Sequence, residues 1–382
     1  MADTRTRRTP RRPIARRLAE ILLAIVLIAL LAMRQAGSDV APPTPAPKVG
    51  FSFSPYAVAP GIDPLAGFAE LLARLDPDVV RLPVYWKDVM PAPGMIDFSQ
   101  PDTLMAEVAA HNQAVPARPT QVVLVLGVRN IDYPEVWAPT WVPPERLANL
   151  SRVVASPDYT AYFDAAVAHY AGDPLVSTWQ IENEPSDDVA SGVSPADVSL
   201  TRAAIASETK RLRRIDTTRP IMITTYDSAT VQLDKQATSD LSWLYRLLPG
   251  PKPVGHPTTV LADADILGMD AYVVTPSTPL DEATAQIRMG WKAQALDYWA
   301  TEAQRLDKPM WITEMQAAPW GGTPGFTPAD LMQSAHLYAN VGAAVTLLWG
   351  VESWLGSESW LQAGAEAVQI MRTSGHPREE VA

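Results

Sequence analysis

Two glutamates of this sequence, Glu184 and Glu314, each stand at the end of a short apolar run, in residues 178–184 and 311–314. Two carboxyl groups in different surroundings can divide acid and base work, because one stays protonated while the other stays ionised. On either side of a sugar, such a pair can cleave a glycosidic bond. The protonated group gives its proton to the leaving oxygen, and the ionised group attacks or stabilises the anomeric carbon.

Five further side chains have the chemistry to serve this pair. Arg81 is a permanent cation that would lower the pKa of a neighbouring glutamate, and Tyr272 can donate a hydrogen bond to the same carboxylate. Asn183 can hold a sugar hydroxyl beside the acid. Trp349 and Trp320 offer apolar ring faces to a sugar, and we select these two tryptophans because they lie nearest the proposed reactive strand ends.

The elements that position these residues alternate between short apolar runs and amphipathic stretches from residue 49 onward. Near-continuous aliphatic runs such as 121–126 are typical of parallel strands buried on both faces. The predicted strands are 49–54, 79–84, 121–127, 176–181, 221–225, 266–272, 310–313 and 344–349. Eight such strands with helices between them predict one (β/α)8 TIM barrel over residues 49–373, followed by a tail at 374–382.

A doubly wound open sheet is the main alternative fold. It would normally carry a glycine-rich turn after its first strand, and residues 51–56 read Phe-Ser-Phe-Ser-Pro-Tyr instead. In a closed barrel, reactive residues lie at the carboxyl ends of strands. Strands four and seven would then bring Glu184 and Glu314 to face each other across the barrel mouth.

The N-terminal region has the composition of a targeting segment. Residues 1–17 are basic, residues 18–33 form a hydrophobic stretch, and residues 34–48 form a linker rich in proline and alanine. The hydrophobic stretch fits a signal anchor or a signal peptide, and a poor cleavage site favours the anchor. Arginines before the helix predict a cytoplasmic N-terminus. The barrel would then lie outside the cell, as a single-pass membrane protein, or secreted if the segment is cleaved.

Charge and residue counts exclude several other functions. Of the 382 residues, those after residue 34 include 23 basic and 40 acidic ones, which argues against binding to nucleic acid. The absence of cysteine excludes disulfides and thiolate chemistry, and the five histidines show no metal-ligand spacing. We expect no cofactor and no metal, and the oligomeric state is left open.

The same residues resemble the signature of glycoside hydrolase clan A, the barrel superfamily that includes cellulase family 5. The resemblance rests on Asn183-Glu184-Pro185 ending strand four and Glu314 ending strand seven. It extends to residues 80–86, to the Pro-Gly-x-x-Asp-Phe motif of residues 93–98, and to Tyr272 and Trp349. It implies a retaining mechanism on a carbohydrate substrate, with Glu184 as acid/base and Glu314 as nucleophile.

The resemblance also implies roles for the surrounding residues. Asn183 would contact the sugar 2-hydroxyl, Arg81 and Tyr272 would set the charge and orientation of the nucleophile, and Trp349 would form the floor of the −1 subsite. The sequence departs from the family 5 pattern at two strand ends. Residues 127–130 lack the usual strand-three histidine, and Asp270 stands where a histidine is common.

Two questions stay open at this level. Asp270 is predicted either to bind a sugar hydroxyl or to raise the pKa of a neighbour, and Glu182 is assigned no role. The missing strand-three histidine also motivates an alternative function, a catalytically inactive carbohydrate-binding barrel on the cell surface. A metal-dependent hydrolase is disfavoured because histidines are missing from the predicted strand ends.

Overall fold

A computed structural model describes residues 47–185, 200–225, 257–273, 282–319 and 325–374. Eight parallel strands pair in chain order and close into one barrel. They are β1 (Lys48–Ser52), β2 (Val79–Tyr85), β3 (Gln121–Gly127), β4 (Val176–Ile181), β5 (Ile221–Thr225), β6 (Ile266–Ala271), β7 (Met310–Gln316) and β8 (Val345–Trp349). The predicted (β/α)8 architecture is therefore confirmed.

Helices follow the strands on the outside of the barrel. The described helices are α1 (Pro64–Leu75), α2 (Trp86–Val89), α3 (Ser99–Ala114), α4 (Pro144–Leu147), α5 (Leu150–Val153), α6 (Pro157–Tyr170), α7 (Arg202–Arg213), α8 (Pro257–Asp263), α9 (Glu282–Arg305), α10 (Pro328–Tyr338), a 3-10 helix (Val351–Trp354) and α11 (Glu358–Thr373). Their starts carry local signals. Asp63 caps the N-terminus of α1 and is followed by Pro64 as the first helical residue. Thr327 and Asp330 form a capping box at the start of α10.

Two apolar clusters sandwich the sheet. Inside the barrel, a plug of inward-facing side chains fills the lower half. Its members are Val79, Val123, Met222, Ile266, Trp311, Val345 and Leu347. A larger cluster fills the layer between strands and helices. Since both faces of the strands are buried, the near-continuous hydrophobic runs in the sequence have a direct explanation.

Glycine is required where β1 approaches β2. A Cβ at Gly50 would lie 1.6 Å from the carbonyl oxygen of Val79, so no side chain fits there.

Above the apolar plug, inward positions become polar and lead towards the carboxyl ends of the strands. Arg81, Gln180, Thr224, Asp270 and Thr313 are all buried at this level. This polar layer is the base of the candidate site.

The predicted N-terminal segments 1–17 and 18–33, most of the linker 34–48 and nearly all of the tail 374–382 lie outside the described residues. Among the residues that are described, no helix combines the length and apolar character needed to span a bilayer. The strand predicted to start at residue 49 begins one residue earlier, at Lys48.

Candidate active site

A β-bulge aims Glu314 into the barrel. Met269 of β6 pairs with Ile312 of β7, yet the next residue, Asp270, pairs with Glu314, so Thr313 is the extra residue. A bulge of this kind re-aims the side chain that follows it. Partners in parallel strands project to the same side of the sheet, and Asp270 and Glu314 therefore both face the barrel interior.

Glu314 is held in a buried ion pair. The Arg81 guanidinium lies 2.8 Å from its Oε1, and the two side chains are 0% and 4% exposed. The Tyr272 hydroxyl donates a hydrogen bond to Oε2. Both oxygens of Glu314 thus accept a hydrogen bond, one of them from a cation, which stabilises the ionised form of the carboxyl group.

Arg81 is itself fixed from several strands. Its Nε donates to Gln180 Oε1 at 2.7 Å, and the other guanidinium nitrogens donate to Asn183 Oδ1 at 2.5 Å and Ser52 Oγ at 3.2 Å. Asn183 Oδ1 is therefore an acceptor, and its amide nitrogen is the donor that it can offer to a ligand. The guanidinium is placed before any substrate arrives.

Glu184 reaches the same space from the turn after β4. The backbone is left-handed at both Glu182 (φ 58°) and Glu184 (φ 45°), an uncommon conformation for residues with a Cβ. The Glu184 amide donates to Thr224 Oγ1 at 2.8 Å, which helps to hold the turn. As a result, carboxylate oxygens of Glu184, Asp270 and Glu314 lie within 4.8 Å of one another.

We call Glu184, Asp270, Glu314 and Arg81 the mouth cluster. Asp270 is fully buried, accepts a hydrogen bond from Thr313 Oγ1 at 2.6 Å, and contacts the side chain of Glu184. Burial raises the pKa of Asp270 well above its usual value, and the negative charge of Glu314 raises it further. Within the described residues, these three acids are also close enough to share a metal ion, although Arg81 already neutralises one of them.

A cavity of about 290 Å³ is lined by Ser52, which accepts a hydrogen bond from Arg81, although none of the four mouth-cluster residues lines it. Trp349 lies on its wall and packs edge to face against Tyr272, with ring centroids 5.5 Å apart. The lining residues come from the ends of β1 and β8 and from the segments that follow β1, β3, β7 and β8. A cavity with an aromatic wall and polar groups suits a sugar ring.

Two acids of this cavity were not predicted from the sequence. Burial raises the pKa of Glu352 to about 8 although the Ser54 amide donates to its Oε1 at 2.6 Å. Burial also raises the pKa of Asp132, at the opposite side of the cavity. Their only sequence signal was their position shortly after strands three and eight, because Asp132 lies in an irregular segment and Glu352 in a 3-10 helix of four residues, and neither has a hydrophobic periodicity that assigns a direction.

Glu182 does not join the mouth cluster. Its carboxylate accepts backbone N–H groups of Val128 and Arg129 at 3.0 and 2.6 Å, and the Tyr159 hydroxyl at 2.9 Å. Tyr159 also donates to Glu208 of α7, and Glu182 and Glu208 hydrogen-bond each other. We call Glu182, Glu208 and Tyr159 the helix-side cluster. Burial raises the pKa of Glu182 to about 7, and burial also raises the pKa of Glu208 well above its usual value.

The structure brings together most of the residues selected from the sequence. Glu184, Glu314, Arg81, Asn183 and Tyr272 form one buried group, with Trp349 on the wall of the adjoining cavity. Trp320 lies outside the described residues. Gln180, Ser52 and Asp270 also belong to this group. Gln180 and Ser52 were not selected from the sequence, although their inward positions on the predicted strands could have indicated them. The catalytic and binding roles themselves stay predictions.

Comparison with solved structures shows the fold in known enzymes. The GH5_18 structure from Bifidobacterium longum subsp. longum superposes with a TM-score of 0.58 at 14% identity, covering 86% of this chain and 80% of that one. The GH5_18 structure from Streptomyces cattleya in complex with GlcNAc gives 0.57 at 16% identity, covering 87% and 82%. Endo-glycoceramidase II from Rhodococcus sp. gives 0.51 at 16% identity, covering 80% and 73%.

No protein-family model matches the chain, and no curated protein matches its sequence. At 14–16% identity, the structural similarity establishes the fold. The chain is a single (β/α)8 barrel with the architecture of GH5 glycoside hydrolases. This agrees with the fold implied by the clan A resemblance.

Proposed function

We propose that this chain is a retaining glycoside hydrolase that cleaves O-glycosidic bonds in oligo- or polysaccharides by double displacement. The observation that carries the proposal is the mouth cluster: carboxylate oxygens of Glu184 and Glu314 lie within 4.8 Å of each other, and Arg81 forms an ion pair with Glu314. The two acids thus have the different surroundings that acid and nucleophile roles require.

In the first step, a Glu314 oxygen attacks the anomeric carbon while Glu184 transfers its proton to the leaving oxygen. The glycosidic bond breaks and an ester bond to Glu314 forms, so the charge that Arg81 and Tyr272 stabilise is consumed as the bond forms. In the second step, Glu184 removes a proton from water, which attacks the anomeric carbon. The ester bond breaks, and Glu314 and Glu184 return to their starting states.

The spacing of the carboxylates supports retention. Retaining enzymes hold the two groups about 5–5.5 Å apart, whereas inverting enzymes need about 6.5–9.5 Å to fit a water molecule. Oxygens of Glu184 and Glu314 that approach within 4.8 Å support the closer, retaining arrangement. Product stereochemistry, followed by proton NMR immediately after mixing, tests this point directly.

The structural neighbours suggest the first substrates to try. GH5_18 variants from Streptomyces cattleya and Bifidobacterium longum are found with Manβ1-4GlcNAc. We therefore propose β-linked hexosides whose hydroxyls lie in the cavity, where Asp132 and Glu352 can accept hydrogen bonds from them. Aryl β-mannosides, aryl β-glucosides and Manβ1-4GlcNAc form the initial panel.

The decisive experiment compares two variants of the full-length chain on two substrates. Glu184→Gln should lose roughly 10²–10⁴ in rate on substrates with poor leaving groups, yet recover on activated aryl glycosides that need no proton. Glu314→Gln should not recover on either. Equal losses for Glu184→Gln on both substrates would contradict the roles, and glycan binding without turnover would favour the binding-only alternative.

We also propose that residues 18–33 carry the barrel out of the cell, as an anchor or as a cleaved signal. The proposal is supported by the basic residues 1–17 before the apolar stretch and the proline-rich residues 34–48 after it. Protease added to intact cells should digest the barrel if it lies outside, and membrane fractionation separates the tethered form from the released one.

A further inference from the structure

The cavity beside the mouth cluster carries two carboxylic acids and no base on its described wall. Asp132 and Glu352 are among the eleven residues that line it, and none of the other nine is a lysine, arginine or histidine. Three serines add hydroxyl groups, and Trp349 adds an aromatic face. A ligand that fills the cavity therefore meets two acidic groups that no basic residue of this wall balances.

Glu352 is fixed in the wall. It belongs to the 3-10 helix after β8, is 4% exposed, and its Oε1 accepts the Ser54 amide at 2.6 Å. In the described residues, no basic side chain forms an ion pair with it. A carboxylate at this depth is strongly disfavoured without a proton or a cation. Burial accordingly raises the pKa of Glu352 to about 8, with a contribution from the charge of Asp132.

Asp132 is held at the same cavity by the loop after β3. The backbone is left-handed at this residue (φ 74°), and its Oδ1 accepts the Tyr133 amide at 2.8 Å. The Tyr85 hydroxyl lies 2.9 Å from the Ile131 carbonyl oxygen and 2.8 Å from Ser54 Oγ, which ties this loop to the segment after β1. Both acids are therefore placed by the backbone before a ligand arrives.

The neighbouring cations in the described part of the chain are engaged elsewhere. Lys87 Nζ lies 3.3 Å from Asp88 Oδ1, and Arg129 pairs with Glu135 at 2.6 Å. The guanidinium of the mouth cluster binds the proposed nucleophile. Tyr85, which faces both cavity acids, stays neutral because burial raises its pKa. A positively charged ligand would therefore supply what these residues do not.

The cavity lies one side chain away from the proposed nucleophile on two sides. Nη1 of Arg81 donates to Ser52 Oγ at 3.2 Å and to Glu314 Oε1 at 2.8 Å, so a wall residue and the nucleophile share one guanidinium nitrogen. Trp349 lines the cavity and packs against Tyr272, whose hydroxyl donates to Glu314. A sugar ring held in the cavity is therefore close enough to belong to the glycoside that is cleaved.

We propose that the cavity selects amino sugars: β-linked hexosides whose free, protonated amino group contacts Asp132 and Glu352. This rests on the proposed function and names its substrate class. An ammonium group has three donors, and two of them form charge-assisted hydrogen bonds with the acids. Acetylation removes the positive charge, and a sugar carboxylate is repelled. In the described residues, the pair has no third acid or histidine with which to share a metal ion.

The protons balance when the amino group binds. In the empty cavity at pH 7, the raised pKa keeps a proton on Glu352. A neutral amine takes this proton: the O–H bond of Glu352 breaks, an N–H bond forms, and an ammonium group faces a carboxylate. A ligand that arrives already charged causes the same proton to leave for water. In both cases, an ion pair replaces an acid that burial had kept neutral.

Free monosaccharides test the selection without any turnover. D-Glucosamine, D-mannosamine and D-galactosamine are titrated calorimetrically into the full-length wild-type chain at pH 7, each beside its parent hexose and its N-acetyl form. At least one amino sugar should bind about 10- to 100-fold more tightly than its parent hexose, the gain expected from a hydrogen bond between charged groups. The N-acetyl form should lose this gain. Equal affinities in all three series would overturn the proposal.

Three variants locate the amino group. Glu352→Gln keeps an acceptor for the Ser54 amide, and Asp132→Asn keeps a side chain that tolerates the left-handed backbone. Each should lose about tenfold in affinity for the amino sugar, whereas affinity for the parent hexose should change less than about threefold. Glu366→Gln, at an exposed site on α11, should alter neither. An amino-sugar preference that survives in both cavity variants would overturn the proposal. Asp132 is partly exposed in a loop, so its variant stays informative if Glu352→Gln does not fold.

Turnover separates this inference from the proposed function. The p-nitrophenyl β-glycoside of the amino sugar that binds best should have a higher kcat/KM than that of its parent hexose, and Glu352→Gln should reduce the ratio by about tenfold. Hydrolysis of neutral glycosides with no preference for the amino form would overturn the inference and leave the proposed function standing. Selective binding of an amino sugar with no hydrolysis of any glycoside would support the cavity assignment and reject only the proposed function.

Discussion

Two buried acid clusters lie on either side of the same turn after β4, and they contrast in almost every other respect. The mouth cluster contains Glu184 and the helix-side cluster contains Glu182, two residues earlier. The mouth cluster includes a buried guanidinium, which donates a hydrogen bond to Ser52 on the wall of a cavity of about 290 Å³. The helix-side cluster forms no ion pair in the described residues, and its acids bind Tyr159 and backbone amides.

The difference shows that buried carboxylates with raised pKa values do not by themselves mark an active site. Glu182 ties the turn after β4 to the backbone at the end of β3, which is a structural task completed inside the protein. In the mouth cluster, an acid and a cation meet next to space that a ligand can fill. A cation on one carboxylate and a neighbouring cavity are the features that separate the two clusters.

The largest expected effect concerns that cation. Arg81→Met removes the partner of a fully buried carboxylate and leaves Glu314 uncompensated, so the free energy of unfolding should fall by about 3–5 kcal/mol. Urea denaturation of the wild-type chain and of the Arg81→Met variant at pH 7 measures this loss of stability.

A matched control is the exposed pair of Arg74 and Glu358, whose side chains are 44% and 71% exposed. Arg74→Met should change stability by less than about 1 kcal/mol, because solvent screens the pair. A similar loss in both variants would mean that the mouth cluster does not depend on its cation.

The next effect separates the two clusters by their tyrosines. Tyr272→Phe removes a hydrogen bond to the ionised Glu314, worth about 1.5–3 kcal/mol, so kcat should fall by roughly 10- to 100-fold. Tyr159→Phe removes hydrogen bonds to Glu182 and Glu208, and it should lower stability by about 1–3 kcal/mol with kcat nearly unchanged. Steady-state kinetics and urea denaturation of both variants are needed. A large fall in kcat for Tyr159→Phe would remove the distinction.

The smallest effect concerns the protons of the helix-side cluster. Because the pKa of Glu182 is raised to about 7, the folded chain keeps a proton that the unfolded chain releases above about pH 4.5. Stability should therefore fall as pH rises from about 4.5 towards 7. Glu208→Gln replaces a carboxyl group of the pair by a neutral amide donor. The fall in stability per pH unit should therefore become smaller by up to about 1.4 kcal/mol.

The rate profile provides the contrast for this last variant. Glu208→Gln should leave the alkaline limb of kcat/KM where it is, whereas Glu184→Gln, which removes the proposed proton donor, should abolish that limb. A shift of the limb in Glu208→Gln would show that the two clusters titrate together and are not separate sites.

The local pattern of apolar residues was sufficient to predict most of the fold. Strands β3, β4 and β5 have the bounds that their apolar runs predict, because parallel strands buried on both faces need continuous hydrophobic sequence. Strand β7 extends past the predicted end at residue 313 to Gln316. Its last residues include Glu314 and Gln316, polar side chains that a pattern based on hydrophobicity assigns to a loop.

The sequence by itself determined the barrel, the two candidate glutamates and the cation, since each of them follows from residue type and position at the end of a strand. Only the tertiary structure decided which acids meet. The bulge at Thr313 places Glu314 beside Asp270, and two left-handed residues send Glu182 and Glu184 in opposite directions. Backbone geometry of this kind changes side-chain direction without changing the hydrophobic pattern, so the direction is read from coordinates and not from the order of residues.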